Sequence, residues 1–239
     1  MEPDEAERML INAIKKTKKD QIWTDNTQSK LLKEKGITIN IISRLNSHKG
    51  TKAYRIREKL QFNGEYDKQI SKNKYVYPDI IFHGGQNIYD NQKFACEAKR
   101  YDKINMPSTL NLLFYDLYKL VSYLYLLKDN DPVGFDRVYM MIIGCDKDTF
   151  LKFFEKLPKL QKRINENNNI SKEVDNINLG VKVIRKYFED HDKKEHLKFI
   201  FIPKNYQEED KIQTISLEQL KNESSDLKNF INNFNNQLQ

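Results

Sequence analysis

Residues 77–100, YPDIIFHGGQNIYDNQKFACEAKR, set one aspartate and a Glu-x-Lys pair inside two runs that otherwise have the composition of buried strands. An ionised carboxylate withdrawn from water without a partner is costly, so Asp79 and Glu97 need a reason to be there. With the two-residue period of a strand, Asp79 shares a face with Tyr77 and Ile81, and Glu97 shares one with Ala95 and Lys99. Phe94, Cys96 and Ala98 point the other way. If the two runs pair as antiparallel neighbours, Asp79 lies beside Glu97. Adjacent carboxylates repel unless one is protonated or a cation sits between them. A hard divalent ion with oxygen ligands, magnesium above all, is the economical solution. Lys99, one pleat from Glu97, then holds an ammonium next to whatever the ion binds. That is equipment for phosphodiester hydrolysis: the ion polarises a phosphoryl oxygen and activates water, and the lysine orients that water or meets developing negative charge. Glu58 adds to the set, because it occupies the centre of the otherwise apolar face Tyr54, Ile56, Leu60, Phe62.

The competing account makes Asp79 part of a turn and Glu97–Lys99 an ion pair on an exposed edge. Phe94, Ala95, Cys96 and Ala98 are too apolar for such an edge. Other chemistry-bearing residues carry less. His48, His83, His191 and His196 have no zinc-ligand spacing, and no glycine-rich phosphate loop occurs. Arg55, Arg57 and Lys59, on the second face of their strand, together with Arg100 and Lys103, suit a phosphate backbone. An ordinary solvated sheet face fits the same residues.

These side chains need a scaffold. The pattern predicts a helix over 4–19 and another over about 28–35, closed by Gly36. ITINIISRLNSHKG fits a strand or a helix equally well. Strands are expected at 54–62, 75–83 and 93–100, as consecutive neighbours of one sheet backed by an aromatic-rich helix over 108–128. A buried strand follows over 136–145, then a helix capped by Asp148 or Thr149 and running to about 166, an Asn-rich loop, a strand in HLKFIFIPK and a closing polar helix. VKVIRKYF stays unassigned. This order of elements implies an α/β mixed sheet with helices on its faces.

Composition bounds the function. A chain of 239 residues with 38% hydrophobic and 31% charged residues suits one globular domain. Its parts are an N-terminal helical region to about residue 50, a core over about 51–203 and a C-terminal helix over about 214–238. The net charge of +7 and pI near 9.1 favour acidic partners, nucleic acid first, although a Lys- and Asn-rich composition gives the same charge without any partner. Cys96 and Cys145 form no metal or disulfide pattern, and MEPDEAERML has no apolar core of a leader, so a cytoplasmic setting is expected. The stretch LNLLFYDLYKLVSYLYLL is interrupted by Asn111, Asp116 and Lys119, which argues for a core helix and against a membrane span.

Pro78-Asp79 at the end of one strand, Glu97-Ala98-Lys99 in the next and the aromatic-rich helix after them resemble the PD-(D/E)xK nuclease superfamily, over roughly residues 54–128. The resemblance implies a restriction-endonuclease-like core, with Asp79 and Glu97 as metal ligands, the carbonyl of Ala98 completing the shell and Lys99 as the catalytic lysine. Members add an acidic residue either on the strand before the aspartate, where Glu58 fits, or on the first core helix, where Glu7 or Glu5 fits. The implied activity is a Mg2+-dependent endonuclease, with Mn2+ able to substitute, acting on double-stranded DNA. A homodimer is the natural form for cutting two strands, and a restriction or defence role follows by analogy. The alternative, from a different class, is a non-catalytic nucleic-acid-binding or interaction module on the same fold.

Overall fold

Strand β8 (Arg137–Ile143) buries six of its seven residues, as a strand covered on both faces must. In the computed structural model it lies at the centre of a six-stranded sheet. Its parallel neighbours are β5 (Phe94–Arg100) and β9 (Leu197–Ile202). Beyond β5 come β4 (Ile80–His83) and then β1 (Gln61–Gly64), and beyond β9 comes β10 (Gln213–Ser216), each antiparallel to its inner neighbour. The structure describes residues 3–17, 22, 33–47, 61–64, 68–71, 74–76, 78–83, 93–104, 110–125, 127–128, 131–132, 134–154, 184–204 and 211–233.

Helices cover both faces because the strands alternate apolar residues to both sides. Ile80, Phe82, Phe94, Cys96, Ala98, Tyr139 and Met141 pack with α1 (Pro3–Lys16) and α2 (Glu34–Ser47). Ile81, Ala95, Val138, Met140, Phe199 and Phe201 face the other layer. That layer holds α4 (Leu110–Leu124), α5 (Lys147–Phe154), α6 (described over 184–189), α7 (Leu217–Glu223) and α8 (Ser225–Asn233). A short α3 (Tyr101–Ile104) leads from β5 towards α4. The result is a mixed sheet between two helical layers, with one face of β5 turned to α4. No helix among the described residues is long and apolar enough to cross a membrane.

β1, β4 and β5 are consecutive neighbours of one sheet, as the hairpin spacing implied. The run 75–83 is nevertheless two strands. β3 (Lys74–Val76) pairs with β2 (Lys68–Ser71) in a separate ribbon, as β6 (Leu127–Lys128) does with β7 (Asp131–Pro132), and only Ile80–His83 joins the main sheet. Pro78 lies between them and has no N–H for a ladder. Of the expected strand 54–62 only Gln61 and Phe62 fall among the described residues; the rest, Glu58 included, lie outside them.

The ambiguous Ile-rich segment is helical. α2 begins at Glu34, so Gly36 sits in its first turn and does not close an earlier helix. Ile37, Thr38, Ile41 and Leu45 are buried at helical spacing, and burying that stripe outweighs a glycine cost of about 1 kcal/mol. The helix after β8 is capped by Asp146, whose Oδ1 accepts the Thr149 N–H at 2.7 Å, in place of Asp148 or Thr149. It is described to Phe154. The closing helix is preceded by β10 and divided in two: Ser216 and Gln219 form a capping box on α7, and Ser224 accepts the Leu227 N–H at the start of α8.

Candidate active site

In β4 and β5, Ile80 pairs with Cys96 and Ile81 with Ala95. Continued by one residue, that register sets Asp79 across from Glu97. Asp79 ends the link that Pro78 keeps out of the ladder, and its Oδ2 accepts the Ala98 N–H at 2.7 Å. That bond fixes the carboxylate at the mouth of the strand pair. Glu97 is 2% exposed, on the α4 side of the sheet. Its Oε1 accepts hydrogen bonds from Tyr123 Oη and Lys119 Nζ, each at 3.0 Å.

α4 brings a second row of charge to this face. Asp116, Lys119 and Tyr123 recur at helical spacing (i, i+3, i+7), and Asp116 is buried on the same stripe as Leu113, Leu117 and Leu120. Asp116 Oδ1 lies 3.0 Å from Lys119 Nζ, and its Oδ2 lies 2.8 Å from Lys99 Nζ. Lys99 in turn reaches Glu34 Oε1 at 3.5 Å, from the first turn of α2. Glu97, Lys119, Asp116, Lys99 and Glu34 therefore form one alternating chain of charges, with Asp79 beside its first member. Asp116 Oδ2 is buried, and its charged neighbour is the Lys99 ammonium at 2.8 Å.

Four carboxylates share two ammonium groups, and the electrostatics follow. Burial first and Asp79 second push Glu97 up to about 8. Burial also raises Asp79, against the lowering effect of the Ala98 N–H and of Lys99 and Lys119. Glu34 is raised by burial, then lowered by Lys99 and raised again by Asp79 and Asp116. For Lys99 burial acts downward, but Asp116 and Glu34 outweigh it and hold the ammonium above its ordinary range. Lys119 is likewise raised by Glu97 and Asp116 against its burial.

The donor set, all carboxylate oxygen, suits a hard divalent ion. Among the described residues, however, no three His, Cys, Asp or Glu side chains are gathered as a metal-ligand group. Lys119 stands between Glu97 and Asp116, and Lys99 between Asp116 and Glu34.

Asp79, Glu97, Ala98 and Lys99 thus meet at one end of the β4–β5 pair. Glu7 does not join them: its carboxylate takes Lys198 Nζ at 2.7 Å and Tyr139 Oη at 3.4 Å, among residues of the α1–α2 face. Arg100 is paired with Asp102, through Nε at 3.0 Å and Nη2 at 2.5 Å. Lys103 lies in α3 with no described side chain, and Arg55 and Arg57 fall outside the described residues. Sequence reasoning missed Glu34, Asp116, Lys119 and Tyr123. Their signal was polar residues on apolar stripes: Glu34 precedes Ile37 by three, and Asp116 sits between Leu113 and Leu120.

Comparison with protein-family models, with curated proteins and with solved structures gives no match to this chain.

Proposed function

We propose that the chain is a metal-dependent nuclease hydrolysing phosphodiester bonds, with DNA as substrate. The observation that carries this reading is the meeting of Asp79 and Glu97 across an antiparallel strand pair, with Lys99 two residues further on and both carboxylates raised by burial. Structural ion pairs seldom bury more carboxylates than cations, because unbalanced charge is expensive in a low dielectric. Functional sites accept that cost.

Asp79 and Glu97 would hold a Mg2+ ion, which supplies Lewis acidity and an activated water to phosphoryl chemistry. The protein's own groups do the positioning. The Ala98 N–H orients Asp79, Tyr123 Oη and Lys119 orient Glu97, and Asp116 with Glu34 aims the Lys99 ammonium. Lys99, kept cationic by those two carboxylates, stabilises charge developing on the phosphoryl oxygens. The exposed Tyr115 ring, stacked on Tyr118 at 6.1 Å next to this row, offers a base a stacking surface.

The spacing of the carboxylates by two lysines favours a second reading, a nucleic-acid-binding module without hydrolysis. Two measurements divide them. The nuclease binds Mn2+ in a calorimetric titration and cleaves DNA with Mg2+ but not with EDTA, and Asp79→Asn and Glu97→Gln each lose cleavage while keeping the wild-type circular dichroism spectrum. A folded protein that takes up no Mn2+ at millimolar concentration and cuts no DNA would leave only the second reading.

A further inference from the structure

Of the two lysines, the one in contact with Glu97 is Lys119, from α4, at 3.0 Å, whereas Lys99 is held by Asp116 and Glu34. Lys119 is also braced by Asp116 Oδ1, three residues earlier on the same helix. Its side chain keeps 26% of its surface exposed, against 2% for Glu97. On the open side its Nζ stands 5.9 Å from the centre of the exposed Tyr115 ring. The ammonium thus bridges a buried carboxylate and the solvent from which a substrate arrives.

We propose that Lys119 is a second functional ammonium of this site: it competes with a divalent cation for Glu97, and it bonds a phosphate oxygen of the substrate during hydrolysis. The proposal rests on the nuclease reading and adds a residue that the Glu97-Ala98-Lys99 triplet does not contain. A cation drawn to Glu97 meets Lys119 as a like charge occupying one of the carboxylate's acceptor positions, so affinity for metal is held down by the residue that assists the reaction. Freed from Glu97, this partly exposed ammonium would still stand beside the carboxylate and could turn to a phosphate oxygen there.

A purely structural Lys119 and a functional one differ in the rate of the metal-loaded site. Either lysine, once removed, takes a like charge from beside Glu97 and so favours a cation there, but loss of a purely structural one leaves the saturated rate near wild type. Loss of a functional one separates affinity from rate: Lys119→Met binds Mn2+ more tightly, by about tenfold for the loss of one neighbouring like charge, yet cleaves more slowly by roughly a hundredfold for the loss of one charge-stabilising donor. Lys119→Arg, which keeps the charge, retains Mn2+ affinity close to wild type and most of the rate.

The experiment measures free Mn2+ by electron paramagnetic resonance during titration of the wild-type chain, Lys119→Met, Lys119→Gln and Lys119→Arg. It is followed by single-turnover cleavage of a DNA oligonucleotide at saturating Mn2+ and protein. Tighter Mn2+ binding with slower cleavage in the Met variant, rescued by Arg, supports the proposal. Should Met fail to fold, the Gln and Arg variants carry the same comparison. Unchanged or weaker Mn2+ binding, or a wild-type rate without the charge, overturns it. If wild-type protein neither binds Mn2+ nor cleaves, the nuclease reading itself fails and this proposal falls with it.

Discussion

Lys99 lies between a carboxylate that is 6% exposed, Asp116, and a more open one, Glu34, and both keep it charged. An ammonium held in place before the reaction acts on the transition state more than on the ground state. On the nuclease reading, Lys99→Ala is therefore expected to lower turnover by orders of magnitude while substrate affinity changes little, a split that single-turnover rates and anisotropy binding curves read directly. A wild-type rate at saturating substrate would remove Lys99 from the chemistry. Asp79, Glu97 and Lys99 were legible in the sequence because a charge inside a run such as FACEAKR has no solvent-facing excuse on both of its faces. Asp116 and Lys119 were visible too, but only as interruptions of an apolar stretch. Any amphipathic helix has a polar side to hold such residues, and only the packing of Leu113, Leu117 and Leu120 under the sheet tells which side Asp116 is on. Glu34 was hidden by a different ambiguity, since a residue at the first turn of a helix is identifiable only once the helix start is known.

At the scale of elements, α4 has to hold Asp116, Lys119 and Tyr123 in phase with β5, and its C-terminal end is fixed by the segment entering β8. The Phe135 N–H donates to Tyr123 O at 3.0 Å, and a Cβ built on Gly134 would stand 2.2 Å from Leu124 O, far inside contact distance. Gly134→Ala must push this backbone off the helix end. Overpacking of this kind costs about 1–3 kcal/mol, so its urea midpoint falls well below wild type. Gly36→Ala, where a Cβ meets nothing within 4 Å, is expected to hold stability or raise it by up to about 1 kcal/mol, with an equal or higher midpoint. Equal effects at the two glycines would contradict this account of the helix end. The same contrast explains which elements could be read from sequence. β5, β8 and β9 carry buried residues on both faces and are mostly apolar, and no other element type at that length accounts for it. α2 and β10 draw their conformations from the sheet they pack on or extend, and a single sequence carries that tertiary term only weakly. The expected single strand 75–83 overlooked Pro78, whose nitrogen cannot donate and which separates β3 from β4.

For the whole molecule, the two-layer covering of the sheet places Glu97 where water scarcely reaches, and that has a measurable cost across neutral pH. Burial, then Asp79, hold Glu97 at about 8 against an ordinary value of 4.5, and Asp79 and Glu34 are displaced in the same direction. A carboxyl with a raised pKa binds its proton more tightly when folded than when unfolded. Its contribution to stability is therefore complete below about pH 4.5 and disappears as pH rises through about 8. For Glu97 the expected loss is on the order of a few kcal/mol. Glu97→Gln keeps the shape of the side chain without the titration, so it isolates this part. Urea midpoints taken at pH 5, 6.5 and 8 should show wild type falling relative to Glu97→Gln, with the gap widening over both intervals and levelling off only above about pH 8. Mg2+ should close that gap at pH 8 and do little at pH 5, because a divalent cation gains most from the ionised carboxylate and competes there with a proton that is already leaving. Parallel profiles for the two proteins would mean that Glu97 is ionised throughout, with Lys119 and Tyr123 compensating it fully. The charge row would then be an ordinary buried ion-pair network, without the excess of negative charge on which the nuclease reading depends.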